Sequence, residues 1–160
     1  MTPCLLFRSA SLAILLVAAV ALFTVSHFSL RAATEPWTPS QTVQPADLVK
    51  ELGDSKTPPT VVFVGFGRLF TAGHIPGAQN HGMAGSEAGL QELKTWASSL
   101  PRSTKLVIYC GCCPMDRCPN VRPAFTTLRD LGFTNVRVLL LPTDFALDWA
   151  GKGYPYDRGQ

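Results

Sequence analysis

Residues 105–132 have the sequence KLVIYCGCCPMDRCPNVRPAFTTLRDLG and predict a strand, a loop and a helix in succession. The unalternating apolar run Leu106–Tyr109 is typical of a strand that is buried on both faces. Asn120 is a suitable N-cap for the helix, Pro123 suits its first turn, and Gly132 suits its end. The apolar residues at helical spacing are Val121, Ala124, Phe125, Leu128 and Leu131.

Four of the five cysteines lie in the predicted loop, at positions 110, 112, 113 and 118. Cys110 directly follows the predicted strand. A thiol between a strand end and a helix N-terminus faces backbone N–H donors and the positive end of a helix dipole, which stabilise a thiolate. Cysteines so close together close only short loops and staple no fold, so their clustering indicates chemistry or metal binding.

Short apolar segments alternate with helical patterns along the rest of the chain, which predicts a parallel α/β sheet. In such sheets, functional sites form beyond the carboxyl ends of the strands. The predicted strands cover residues 60–64, 106–109 and 135–141, with a brief strand ending at 80. The predicted helices cover residues 45–52, 86–100, 120–131 and 146–150, with one helical turn at 66–72.

The N-terminus has the pattern of a targeting segment, with an apolar run at Leu12–Val25 after the positive charge of Arg8. We therefore expect a signal peptide or membrane anchor at residues 1–33, a linker at 34–40 and one domain at 41–160. The expected location is periplasmic or extracellular, or anchored in the inner membrane by this segment alone. The remaining chain has 11 acidic residues against 12 basic ones (14 less Arg8 and Arg31), a balance that gives no reason to expect nucleic-acid binding.

Three segments resemble the rhodanese family: FTAGHIPGAQN at 70–80, VIYC at 107–110, and Trp149 followed by GYP at 153–155. The resemblance covers roughly residues 40–158. It implies a single-domain rhodanese-like fold, in which a five-stranded parallel sheet is flanked by helices. It also implies a sulfurtransferase that needs no cofactor and moves a sulfane sulfur, through a Cys110 persulfide, from a donor such as thiosulfate to cyanide or a thiol.

The chain departs from the family pattern at three places. The Asp-x-Arg that usually precedes GHIPGA is replaced by Phe63 and Gly65, and a frequent Gly-Gly pair is replaced by Thr143 and Asp144. The loop after Cys110 is also longer than the usual five or so residues.

Two arginines near the loop are candidate substrate-binding residues. Arg122 falls in the first turn of the predicted helix, where a cation opposes the helix dipole, and this local cost suggests a use in holding the sulfonate end of an anionic donor. Arg117 can act in the same way. The alternative is that both are solvated, with Arg117 offset by Asp116.

Cys112, Cys113 and Cys118 have three interpretations. One of them can resolve the persulfide or form a disulfide with Cys110, they can bind a soft metal, or a local disulfide such as Cys113–Cys118 can shape the loop. Their spacing, CxCCxxxxC, lacks the paired CxxC knuckles of a zinc ribbon. We therefore favour a redox role or a local disulfide and expect no metal.

The sequence thus predicts a monomeric sulfurtransferase with a small sulfur donor and a thiol acceptor, either a small molecule or a protein. The alternative is a thiol-rich carrier of metal or sulfur, or an interaction module, that uses the fold without turnover. Phosphatase activity is discounted, because it needs an arginine six residues after a cysteine, and those places hold Asp116 and Cys118.

Overall fold

The computed structural model of the protein describes residues 35–53 and 56–159. The signal peptide or anchor predicted at residues 1–33 lies outside these residues. Over the described part of the chain, no helix combines the length and the apolar character needed to cross a membrane.

Five short parallel strands form one sheet, in the spatial order β1-β5-β4-β2-β3. The strand β4 is central, with Ile108 paired to Val62 of β2 on one side and to Val138 of β5 on the other. Both edges of β4 are therefore hydrogen-bonded to neighbours, and the residue that follows it is held by the middle of the sheet. The strands are β1 Thr42–Val43, β2 Thr60–Phe63, β3 Gln79–Asn80, β4 Leu106–Tyr109 and β5 Val136–Leu139.

Helices flank the sheet, as the predicted rhodanese-like fold requires. They are α1 Pro45–Gly53, α2 Gly67–Ala72, α3 Glu87–Ser98, α4 Val121–Asp130 and α5 Phe145–Asp148. Single 3₁₀ turns lie at Pro39–Gln41, Met115–Arg117 and Ala150–Lys152. The prediction of a five-stranded parallel sheet between helices is confirmed.

Successive residues of β4 enter two separate cores, one on each face of the sheet. Leu106 and Ile108 pack into one core, while Val107 and Tyr109 pack into the other. All four are fully buried, and burying an aliphatic side chain of this size contributes about 1.5–3 kcal/mol. This double burial explains why the strand has no polar alternation, and it fixes the direction in which each side chain points.

The segment assigned to a linker, residues 34–40, takes part in the fold from Glu35 onward. Trp37 is only 9% exposed and meets Phe125 of α4 edge to face, with ring centroids 5.5 Å apart. The compact unit that contains the sheet accordingly begins at Glu35.

The role predicted for Asn120 as a side-chain N-cap is wrong. Asn120 does occupy the cap position of α4, but its backbone is already helical (φ −99°, ψ −41°) and its side chain accepts no bond from the first turn. The amide is instead directed to partners outside the helix. Ser86, at the start of α3, does cap its helix by accepting a hydrogen bond from the N–H of Gly89.

Candidate active site

Cys110 lies at the carboxyl end of the central strand, with 2% of its surface exposed. A Cβ atom on Gly65, which follows β2, would lie 2.7 Å from Cys110 Sγ and 2.8 Å from the Phe63 ring. No larger residue fits this position without moving the thiol. Gly65, one of the departures from the family pattern, therefore makes room for the cysteine, which the sequence alone did not predict.

The sulfur atoms of Cys110, Cys112 and Cys118 all lie within 4.8 Å of one another. The Sγ atoms of Cys110 and Cys112 are 3.0 Å apart, and the Cys113 Sγ is 3.2 Å from that of Cys112. All four cysteines are free thiols. The structure therefore brings the predicted nucleophile and the three predicted redox or resolving residues into one cluster, which we call the thiol cluster.

Gly111 allows the loop to turn back so that the sulfur atoms of Cys110 and Cys112 come into contact. Its backbone has φ of +66°, a conformation that favours glycine, and a Cβ atom there would lie 2.7 Å from the Cβ of Phe145. The loop then makes a single 3₁₀ turn at Met115–Arg117, after which the N–H of Cys118 donates to the carbonyl of Met115.

The surroundings of the thiol cluster favour the thiolate form at Cys118. A hydrogen bond from the Cys110 thiol lowers the pKa of Cys118 to about 5 against the opposing effect of burial, and the backbone N–H groups of Asn120 and Val121 lower it further. The same shared proton raises the pKa of Cys110, and burial adds to that effect. Burial and the neighbouring Cys112 raise the pKa of Cys113 to about 12. The hydrogen bond from Cys110 and the N–H groups at the start of α4 thus favour a thiolate on Cys118, whereas the sequence led us to expect it on Cys110.

Asn120 connects the thiol cluster to the loop that precedes α3. Its Nδ2 donates to Cys110 Sγ at 3.3 Å and its Oδ1 accepts from the N–H of Gly85 at 2.8 Å. The residue is fully buried. The sequence predicted Asn120 as a helix cap. Its contacts instead suit it to position Cys110.

The polar contacts of the two candidate arginines are with oxygen atoms. Arg122 forms an ion pair with Glu35 and donates to the carbonyl oxygens of Met115 (3.3 Å) and Cys118 (3.2 Å). Arg117 is exposed and lies 3.8 Å from a carboxylate oxygen of Asp116. Their role in donor binding stays a prediction, and the contacts of Arg122 also give it a part in holding the loop.

A cleft of about 480 Å³ opens beside the thiol cluster. Cys110 and Cys112 line it together with Arg158, a cation that was not among the predicted site residues. Arg158 is exposed and donates to the hydroxyl of Tyr156 at 3.1 Å. The other lining residues are mostly apolar or small: Phe63, Leu69, Ala72, Gly73, Gly111, Asp144, Phe145, Ala146, Ala150 and Tyr156.

The GHIPGA segment is held without the usual acidic and basic pair. The Tyr109 hydroxyl accepts a hydrogen bond from the N–H of Ile75 at 3.1 Å. The backbone of His74 pairs with that of Asp157, while its Nδ1 lies 2.9 Å from the carbonyl of Phe70. His74 is therefore a turn residue, and Tyr109 supports the loop from the strand that positions Cys110.

Comparisons with known proteins agree with this architecture. The family model of the Rhodanese-like domain matches residues 45–140. No curated protein matches the chain. Among solved structures, the rhodanese-like domain of the Alr3790 protein from Anabaena sp. is 21% identical, with 74% of this chain and 79% of that chain covered and a TM-score of 0.55.

Two further solved structures share the fold. The BH2092 protein from Bacillus halodurans is 19% identical, with coverage of 74% and 77% and a TM-score of 0.59. A thiosulfate sulfurtransferase from Pseudomonas aeruginosa is 21% identical over 74% of this chain and 19% of that chain, with a TM-score of 0.53. Because the family model covers more than half of the sequence, and its strand–cysteine–helix unit has the expected form, the chain belongs to the rhodanese-like domain family.

Proposed function

We propose that the protein is a sulfurtransferase that carries a sulfane sulfur as a persulfide on Cys110. The observation that supports this most directly is the position of Cys110, which is fixed by the central strand and lines the cleft. Cys118 carries the lower pKa but does not line the cleft. We therefore assign attack to Cys110, whose thiol proton passes to solvent or to the departing sulfite.

The first half-reaction takes sulfur from the donor. The Cys110 sulfur attacks the outer sulfur of thiosulfate, the S–S bond of the donor breaks, and sulfite leaves with the bonding electrons. The Asn120 amide and the N–H groups at the start of α4 lie where they can stabilise the charge on the sulfur atoms.

The second half-reaction transfers the outer sulfur of the persulfide to an acceptor. Cyanide or an external thiolate attacks the outer sulfur and takes it, and the Cys110 thiolate is restored. Cys112 offers a second route, because its Sγ lies 3.0 Å from that of Cys110. Attack by Cys112 on the inner sulfur releases hydrosulfide and leaves a Cys110–Cys112 disulfide, which an external thiol must then reduce.

Intact mass spectrometry after incubation with thiosulfate tests the assignment. The reduced wild-type chain should gain the mass of one sulfur atom, and Cys110→Ser should gain none and lose all turnover. Cys112→Ser and Cys113→Ser should still load sulfur under reducing conditions, and they serve as matched controls in the same loop.

Two outcomes would contradict the proposal. Sulfur gain by Cys110→Ser removes that residue from the reaction. Loss of all loading in Cys118→Ser, with reductant present and the fold intact, moves the nucleophile to Cys118, whose thiolate the helix N-terminus stabilises.

A further inference from the structure

The thiol cluster has a composition that sulfur transfer does not require. Transfer needs one nucleophile and at most one resolving thiol, yet three sulfur atoms converge within 4.8 Å. Two of them, on Cys110 and Cys118, are 2% and 3% exposed. No histidine or carboxylate belongs to this set. A set of donors made only of sulfur selects soft, thiophilic metal ions over magnesium, calcium or manganese.

The sulfur atoms of the cluster have no cationic side chain among their hydrogen-bond partners over the described residues, although Arg158 lines the cleft beside them. The side-chain amide of Asn120 donates to the sulfur atoms of Cys110 and Cys112. The nearest arginine on α4, Arg122, is held by Glu35 and by two carbonyl oxygens. Several thiolates in this place would repel one another, and a bound cation would remove that repulsion.

The number of ligands favours one ion among the thiophilic ones. Structural zinc sites take four protein ligands and iron–sulfur clusters are held by four cysteines, whereas the mutually close set has three sulfur atoms and does not include Cys113. A closed-shell monovalent ion such as Cu(I) is satisfied by fewer thiolates. We propose that Cys110, Cys112 and Cys118 form a binding site for Cu(I).

Binding of Cu(I) requires a small movement of one cysteine, in a part of the loop that can move. With metal–sulfur bonds of about 2.3 Å, three sulfur atoms in trigonal-planar coordination lie roughly 4.0 Å from one another. The Cys110–Cys112 pair, at 3.0 Å, must open by about 1 Å. Cys110 is fixed by β4, but Cys112 is half-buried and follows Gly111, so Cys112 moves. Each thiol that becomes a ligand releases its proton to solvent.

Binding should exclude sulfur transfer, because Cys110 serves both. Anaerobic titration of the reduced full chain with Cu(I), against a chromophoric Cu(I) chelator, should give one tightly held ion per chain. X-ray absorption should show only sulfur neighbours. The loaded protein should gain no sulfur from thiosulfate, and removal of Cu(I) by excess chelator should restore the gain.

Variants separate the three ligands from the fourth thiol. All of them carry Cys4→Ser, because Cys4 lies outside the described residues. Cys112→Ser, at a half-buried loop position, should weaken Cu(I) binding by roughly 100-fold or more, whereas Cys113→Ser should change it by less than about tenfold. Thermal melting confirms that each variant is folded.

The proposal is overturned if Cu(I) is not retained against the chelator, if zinc is retained while Cu(I) is not, or if Cys113→Ser weakens binding as much as Cys112→Ser. Sulfur transfer by a chain that retains no Cu(I) overturns the metal site alone. Cu(I) retention by a chain that never gains sulfur overturns the proposed sulfur transfer alone.

Discussion

Asn120 joins two parts of the site through the two ends of one amide. Its carbonyl oxygen holds the loop before α3 at Gly85, and its nitrogen donates to Cys110. Because the residue is fully buried, neither bond has a ready substitute from water. A hydrogen bond of this kind contributes about 1.5–3 kcal/mol once Cys110 becomes charged in the proposed attack.

Asn120→Asp should slow sulfur loading by thiosulfate roughly 10- to 100-fold, the kinetic equivalent of losing that hydrogen bond. Aspartate can still accept from the N–H of Gly85 but cannot donate to Cys110, and it adds a like charge beside the thiolates. Rapid-quench mass spectrometry gives the loading rate. Asn120→Ala controls for the loss of the Gly85 bond, and wild-type loading in both folded variants would show that Asn120 does not position the thiol.

Arg122→Ala should raise the KM for thiosulfate more than it lowers the rate of sulfur release to the acceptor, if Arg122 binds the anionic donor. The alternative given by its contacts is that Arg122 only holds Glu35 and the loop carbonyls. Arg158→Ala is the matched comparison, because Arg158 lines the cleft and Arg122 is held elsewhere. A KM that rises about tenfold in Arg158→Ala and stays unchanged in Arg122→Ala would assign donor binding to Arg158.

At the residue scale, the sequence predicts those features of the site that depend only on residues nearby in the chain. Cys110 follows from the apolar run before it and the helix pattern after it. The contacts of Gly65 and Asn120 do not follow in this way, because each depends on how the loop and two separate strands meet in space. The convergence of Cys112 and Cys118 on Cys110 likewise depends on the positive φ of Gly111, which the sequence alone does not fix.

At the scale of elements, a bidentate ion pair between Arg137 and Glu51 joins α1 to β5. Arg137 donates from Nη1 to Glu51 Oε1 at 2.8 Å, and its Nη2 binds the second carboxylate oxygen. The hydrogen bonds from Arg137 lower the pKa of Glu51 against the effect of burial. The pair is half-exposed, so its contribution to the free energy of unfolding is about 1 kcal/mol or less.

Because the folded pKa of Glu51 is lowered, this stabilisation is present above the pKa of the unfolded state and is lost as the pH falls through the folded value. Glu51→Gln should therefore lower the free energy of unfolding at pH 7 and make little difference at pH 3, as measured by urea denaturation at both pH values. Asp47→Asn is the matched control on the same helix, because among the described residues Asp47 forms an ion pair with exposed Lys50 alone, at 3.5 Å. An equal loss at both pH values would attribute the effect of Glu51→Gln to packing instead.

The elements themselves were largely predictable. The predicted strand at 106–109 is β4 to the residue, and the predictions at 60–64 and 135–141 contain β2 and β5. The edge strand β1 was not predicted, because a strand of only two residues has no periodicity and exists through its pairing with Leu139 and Val138. The last helix was predicted one residue late, because Asp144 caps it by accepting from the N–H of Leu147.

At the scale of the whole molecule, export stays a prediction, since the Leu12–Val25 run lies outside the described residues. A fusion of residues 1–40 to a reporter that is active only outside the cytoplasm should be active. Replacing Leu15 and Leu16 by arginine should block it, because each charge in an apolar run costs about 2.5–3.5 kcal/mol on insertion. Retention of the unaltered full-length chain in the cytoplasm would contradict the prediction.

The boundary between Tyr109 and Cys110 separates β4, whose length is fixed by its pairing, from the loop, whose length can change. A shift of β4 by one residue would exchange the two cores and carry Tyr109 into the place of the thiol. Insertions after Cys110 impose no such shift, because β4 is paired on both edges before the loop begins. The chain can therefore acquire or lose cysteines and residues beyond Gly111 while the reactive sulfur keeps its coordinates. Inserting one residue after Gly111 should therefore leave the backbone position of Cys110 unchanged, whereas inserting one within β4 should not.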